Sequence, residues 1–155
     1  MPYYFSIIVF IHVLSAVIWI GGMIAIRFAV HYSIQSIENP KIKLGKTLEN
    51  LKRFFYLVIP SILSLLITAI IMIISFKLNE TPNYYIVMLK EFIWTIMSVI
   101  FIIIYMKRNF AQKAFENNDF LTAKKHLFPI ANYFIPINII LGLFAIFFGI
   151  TLRGF

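Results

Sequence analysis

Four long apolar segments alternate with shorter polar segments along the chain. The apolar segments cover residues 5 to 31, 54 to 76, 84 to 106 and 130 to 152. The hydrocarbon layer of a bilayer is about 30 Å thick, so about 20 apolar residues in a helix are enough to cross it. The pattern therefore predicts an all-α protein, an integral membrane four-helix bundle that forms a single transmembrane domain over residues 1 to 155.

Composition agrees with this prediction. Of the 155 residues, 61% are hydrophobic and only 13% are charged, and a soluble domain of this size could not bury so much apolar surface in one core. The net charge of +8 would also suit a nucleic-acid-binding protein, but such a protein needs a basic surface exposed to water. We therefore expect the chain to contact membrane lipid, anionic lipid included, and not nucleic acid. The sequence has no cysteine, which excludes thiolate metal ligands within it.

The basic residues lie mainly in two of the connections. Residues 32 to 53 and 107 to 129 each carry five lysines and arginines, whereas residues 78 to 83 carry none. By the positive-inside rule we expect two basic cytoplasmic loops, with the N- and C-termini outside. Residues 109 to 128 alternate phenylalanine with polar residues, which fits an interfacial helix or an ordinary solvated connection.

The first apolar segment has neither a basic n-region nor a small-residue cleavage site. We expect it to remain as a membrane helix and not to be removed as a signal peptide. The abundance of phenylalanine, isoleucine and lysine is typical of proteins from AT-rich bacterial genomes. The expected location is therefore the bacterial inner membrane, that is, the cytoplasmic membrane, which the chain crosses several times.

Small and hydroxylated residues at three- and four-residue spacing mark the expected helix contacts. In a bilayer such residues let helices approach closely, because packing replaces the hydrophobic effect as the force between them. They are Ser61, Ser64 and Thr68 in the second helix, and Asn138, Gly142 and Gly149 in the fourth.

The first helix carries ionisable residues in an otherwise apolar sequence. At about 100° per residue, His12, Trp19, Met23 and Arg27 fall within one broad stripe of its surface. A charge near the bilayer centre costs about 2.5 to 3.5 kcal/mol, so such residues need a function or a partner. Arg27 and His31 lie at the cytoplasmic end, where they would also serve as interface anchors.

Lys90 and Glu91 enter the third helix from the same outer side as His12, at a similar depth of about 10 Å. The three side chains can therefore meet in one layer. An imidazole inside a helix bundle is a good ligand for iron or copper, although a histidine can also serve as a polar packing group. Lys90 and Glu91 could equally form a structural ion pair.

His12 and His31 cannot bind one iron from opposite sides, because the helix between them is about 28 Å long. A site at His12 would be five-coordinate or would take a methionine such as Met88 or Met72 as its second ligand. Methionine is also a common filler of apolar cores, so packing stays open as the alternative for both.

The stretch HVLSAVIWIGG, residues 12 to 22, resembles the first helix of the CopD-like membrane domain, a family named for copper resistance protein D. Residues 53 to 72 resemble the second helix of that family, and residues 84 to 108, with Lys90, resemble the third. The chain is also similar to the related HemJ protoporphyrinogen oxidases, which bind haem b. The residues that match their order are His12, Trp19, Gly22, Arg27, His31 and Lys90.

The resemblance implies a haem b-binding membrane redox protein, for electron transfer or as an oxidoreductase, with the haem near the outer leaflet. Lys90 and Glu91 would be its catalytic residues, and Lys90 would pair with a haem propionate or polarise a substrate. The electron partner would be a membrane quinone, a porphyrin-like substrate or a redox partner protein. The cofactor-binding residues would be His12, Trp19, Arg27, Met88 and Lys90, with His12 and Met88 on the metal.

Two other functions stay open. The family name implies copper transport or copper resistance, in which His12, Met72 and Met88 would bind Cu(I), an ion that favours thioether ligands. The chain could also be an accessory subunit of a larger membrane complex. A homodimer would supply a second His12.

Overall fold

The computed structural model describes residues 3–152. It is 91% helical, and the part of the chain that it describes contains no strand. Four long helices account for nearly all of it, and each has a segment long and apolar enough to cross a membrane. This confirms the prediction of an all-α protein with four such helices. They are α1 (Tyr3–Gln35), α2 (Pro40–Ser75), α3 (Tyr84–Glu116) and α4 (Phe120–Thr151).

Each helix packs against at least two others. Helix α1 contacts α2 and α4, and α3 contacts the same two helices. Helix α2 also contacts the Phe120–Pro129 part of α4. The residues predicted to mark helix contacts are largely inside, because Ser61, Thr68, Asn138 and Gly142 are all buried. Trp19 is the largest of the fully buried side chains.

The predicted basic loops are wrong in length, because most of their residues are helical. Helix α2 begins at Pro40 and α3 continues to Glu116, so only residues 36–39 and 117–119 connect the helices on this side. At about 1.5 Å per residue, the 36 residues of α2 span about 54 Å, well beyond a hydrocarbon layer of about 30 Å. The predicted interfacial helix is likewise absent from residues 109–128, which form the end of α3 and the start of α4.

Two sequence features explain the early start of α2. The side chain of Asn39 accepts hydrogen bonds from the backbone N–H groups of Lys41 and Ile42, and Pro40 occupies the first helical turn, where it needs no partner for a missing N–H. Leu44, Leu48 and Leu51 follow at three- and four-residue spacing and are buried. Such spacing gives a helix one apolar face among charged residues.

Helices α1 and α4 are not uniformly α-helical. Helix α1 contains π-helical turns at Val17–Gly21 and Ile26–Val30, and α4 contains one at Ile130–Phe134. The turn in α4 lies between Pro129 and Pro136, and proline lacks the N–H that a regular α-helix requires. Each π-helical turn changes which side chains face the bundle beyond it.

Candidate functional site

The predicted ligand His12 makes a hydrogen bond across the bundle. Its Nδ1 atom lies 2.8 Å from Oγ1 of Thr68 in α2. The same hydroxyl lies 2.6 Å from the carbonyl oxygen of Ser64, and because a carbonyl can only accept, the hydroxyl proton is donated there. With the hydroxyl proton assigned to Ser64, the Thr68 oxygen accepts a hydrogen from Nδ1, and this tautomer keeps the lone pair on Nε2 of His12.

Lys90 lies near His12 along the bundle and reaches from α3 to Gly149 of α4. A Cβ atom at Gly149 would be only 3.1 Å from the lysine Nζ, so the missing side chain of Gly149 makes room for the ammonium group. The charge of Lys90 is within electrostatic range of His12. Within residues 3–152, Lys90 forms no ion pair.

The structure does not pair Lys90 with Glu91. Glu91 is exposed, whereas Lys90 is half-buried, because consecutive residues of a helix point in directions about 100° apart. Glu91 therefore lies at about the depth of Lys90 but faces the outside of the bundle. This differs from the expectation that Glu91, His12 and Lys90 meet.

Trp19 and Met88, the other predicted cofactor contacts, lie in different surroundings. Trp19 is 1% exposed and packs in the core cluster, and its Nε1 finds no hydrogen-bond partner within residues 3–152. Met88 is 56% exposed and lies on the outer surface of the bundle. No group of three or more histidine, aspartate or glutamate side chains is arranged to hold a metal ion in the described part of the chain.

Arg27 is far from His12 and Lys90. Fifteen residues separate it from His12 (27 − 12), which is about 22 Å along the helix, so the two cannot share one site. The Arg27 guanidinium lies 5.8 Å from the ring centre of Tyr32 and 5.9 Å from that of Phe28, both exposed. This position matches an interface anchor.

Two cavities lie at the opposite end of the bundle from His12. One, of about 40 Å³, is lined by His31 of α1 and by Thr47 and Asn50 of α2. The other, of about 350 Å³, lies between α2 and α3 near Arg108. Neither is lined by His12, Trp19 or Lys90.

Sequence reasoning missed two polar features. It placed Thr68 among the packing residues, but the side chain also fixes the His12 ring. It treated Arg108 only as a loop charge, although the side chain spans from α3 to the Leu48 carbonyl of α2. Neither could be read from local spacing, because each contact joins residues more than 50 positions apart.

Comparisons of the chain with protein families, with curated proteins and with solved structures gave no match. The likeness to the CopD-like and HemJ families therefore stays a prediction from short motifs, and the evidence for a site is the geometry of His12, Thr68 and Lys90.

Proposed function

We propose that this chain is a multi-pass membrane redox protein that binds haem b at one end of its bundle through His12. The observation that carries the proposal is the hydrogen bond from His12 Nδ1 to Thr68. Histidines that bind metals usually donate their second ring N–H to an oxygen, which fixes the tautomer and turns the other nitrogen toward the metal. Haem would supply one-electron redox chemistry at this position.

Lys90 supports a ligand that carries negative charge. Its ammonium group lies in the His12 layer without a carboxylate partner among the described residues, and such a group in an apolar surrounding favours an anion. A propionate is an anion of the right kind. His12 would thus bind the iron, and Lys90 would pair with a propionate of the same haem.

The other residues predicted to contact the cofactor fit a haem at His12 less well. Met88 faces outward and Trp19 is packed in the core, while Arg27 lies at the far end of the same helix. His12 would therefore be the one protein ligand, and the porphyrin would lie at the half-exposed edge of the bundle. Copper binding has less support, because Met88, one of its predicted ligands, is 56% exposed on the surface of the bundle.

The orientation in the membrane follows from charge. Ten of the 14 lysines and arginines lie in residues 32–53 and 107–129, and in a bacterial inner membrane this end would face the cytoplasm. His12 and Lys90 would then lie near the outer leaflet, within reach of a membrane quinone or an external redox partner.

The test is the absorption spectrum of the full-length protein, purified in detergent and supplied with haem. We expect a Soret band with split visible bands on reduction, and loss of this spectrum in His12→Ala. Thr68→Val should weaken haem affinity about 10- to 100-fold, because it removes the oxygen that orients the ligand.

His31→Ala is the matched control, since it removes a histidine from the other end of the same helix. It should leave the spectrum unchanged. A wild-type protein that takes up no haem would contradict the proposal, as would equal spectra for the wild type and His12→Ala.

A further inference from the structure

The larger cavity lies between the extended ends of α2 and α3. It has a volume of about 350 Å³, and its walls include Leu48 and Lys52 from α2 and Arg108, Gln112 and Phe115 from α3. It lies at the end of the bundle opposite His12, so it is separate from the proposed haem site. Apolar and cationic side chains face the same space, which is typical of a site for an amphiphilic anion.

Arg108 is held at this cavity by contacts from both helices. Its Nη2 donates to the Leu48 carbonyl at 3.2 Å and to the Gln112 side-chain oxygen at 3.0 Å. Its Nε–H is buried and finds no acceptor within residues 3–152. A fixed guanidinium with an unused donor is suited to a phosphate oxygen.

Two glutamates also line the cavity, but other donors already contact them. Glu49 accepts from Lys46 at 3.2 Å and from Arg53 at 2.7 Å, and Glu116 accepts from Gln112 at 2.7 Å. Lys52 and Arg108 form no ion pair in the described part of the chain. Glu116 keeps its negative charge, because Gln112 is neutral. The local charge is still positive, since four cations, Lys46, Arg53, Lys52 and Arg108, stand against the two glutamates.

The cavity lies where a phospholipid headgroup would be found. Lys52 lies two positions before the apolar segment of α2, and Arg108 lies two positions after that of α3. Tyr56 and Tyr105, one turn further into the apolar segments, are exposed, and tyrosine is enriched at the boundary between hydrocarbon and headgroups. A free anion would also bind Lys52 and Arg108, but it has no acyl chains to contact the apolar surface beside them.

We propose that the cavity binds the phosphate group of an anionic phospholipid from the leaflet on the basic side. Arg108 and Lys52 bind the phosphate oxygens, and the acyl chains run along the exposed apolar surface beyond the tyrosines. Basic pockets between membrane helices on the cytoplasmic side bind anionic headgroups in this way.

The test uses full-length protein in nanodiscs of phosphatidylcholine, into which phosphatidylglycerol is titrated, with bound lipid counted by native mass spectrometry. We expect phosphatidylglycerol to bind at least tenfold more tightly than phosphatidylcholine. Lys52→Gln and Arg108→Gln should each weaken this binding about tenfold. Lys113→Gln is the matched control, since it removes an exposed charge from the same helix outside the cavity, and it should change binding less than twofold.

Arg108 also contacts Leu48 and Gln112, so its variant removes a contact between α2 and α3 together with the charge. Gly45 also lines the cavity. Gly45→Leu therefore provides a second route, because it fills the cavity without removing a charge. It should reduce phosphatidylglycerol binding as strongly as Lys52→Gln.

The proposal is overturned if phosphatidylglycerol and phosphatidylcholine bind equally, or if the Lys52 and Gly45 variants bind like the wild type. It is also overturned if millimolar inorganic phosphate displaces the lipid completely, because the site would then recognise a free anion. His12→Ala should leave lipid binding unchanged, which separates this outcome from that of the haem proposal.

Discussion

Replacement of Trp19 by alanine is expected to lower the free energy of unfolding of the bundle by about 3 kcal/mol. Trp19 is 1% exposed and packs in the core cluster formed by the helices. Large-to-alanine changes in soluble cores cost about 3 to 5 kcal/mol. In a bilayer the unfolded helices stay in apolar surroundings, so the cost comes from lost packing and the remaining cavity. We therefore expect the lower end of the range.

Denaturation in mixed detergent micelles, followed by circular dichroism, measures this change. Trp19→Phe is the control. Because the Trp19 N–H has no acceptor among residues 3–152, phenylalanine removes ring volume but no hydrogen bond, and it should cost less than about 1.5 kcal/mol. An equal loss in both variants would mean that the indole N–H, and not the packing of the ring, stabilises the core.

Gly22→Ala is expected to destabilise the bundle by about 1 to 3 kcal/mol, the usual cost of overpacking. A Cβ atom at Gly22 would lie 2.5 Å from a ring carbon of Phe54 in α2, so the two helices would have to separate or the ring would have to move. The same unfolding measurement applies, and the loss should come with weaker packing between α1 and α2.

Gly21→Ala is a matched control one position away. A Cβ atom there would have no atom of the described structure within 4 Å beyond its own helix, and alanine favours a helix over glycine by about 0.5 to 1 kcal/mol. This variant should be as stable as the wild type or slightly more so. If both substitutions lowered stability equally, the close approach of Gly22 to Phe54 would not be the cause.

The sequence was sufficient to predict the fold class and the number of helices long and apolar enough to span a membrane. Both depend on mean hydropathy over about 20 residues, which is a local property. Helix lengths were underestimated, because the charges of residues 40–53 obscured the spacing of Leu44, Leu48 and Leu51. Asn39 followed by Pro40 was a readable start signal that hydropathy alone does not contain.

The site was only partly predictable. His12 and Lys90 could be placed at a similar depth by counting residues from the ends of their helices. The hydrogen bond to Thr68 could not be predicted, because it depends on how α1 and α2 are rotated against each other. The stripe from His12 to Arg27 assumed 100° per residue throughout, and the π-helical turn at Val17–Gly21 breaks that assumption.

The π-helical turns of α1 and α4 determine where the fold can tolerate an insertion or deletion. A π-helical turn encloses one residue more than an α-helical turn. Loss of one residue from Val17–Gly21 can therefore close that turn to the α form and leave both flanking segments in register. The same loss within Leu63–Ile74 of α2 would rotate all that follows by about 100° and present buried faces to lipid. In homologous sequences, single-residue deletions should consequently be found mainly at the π-helical turns of α1 and α4.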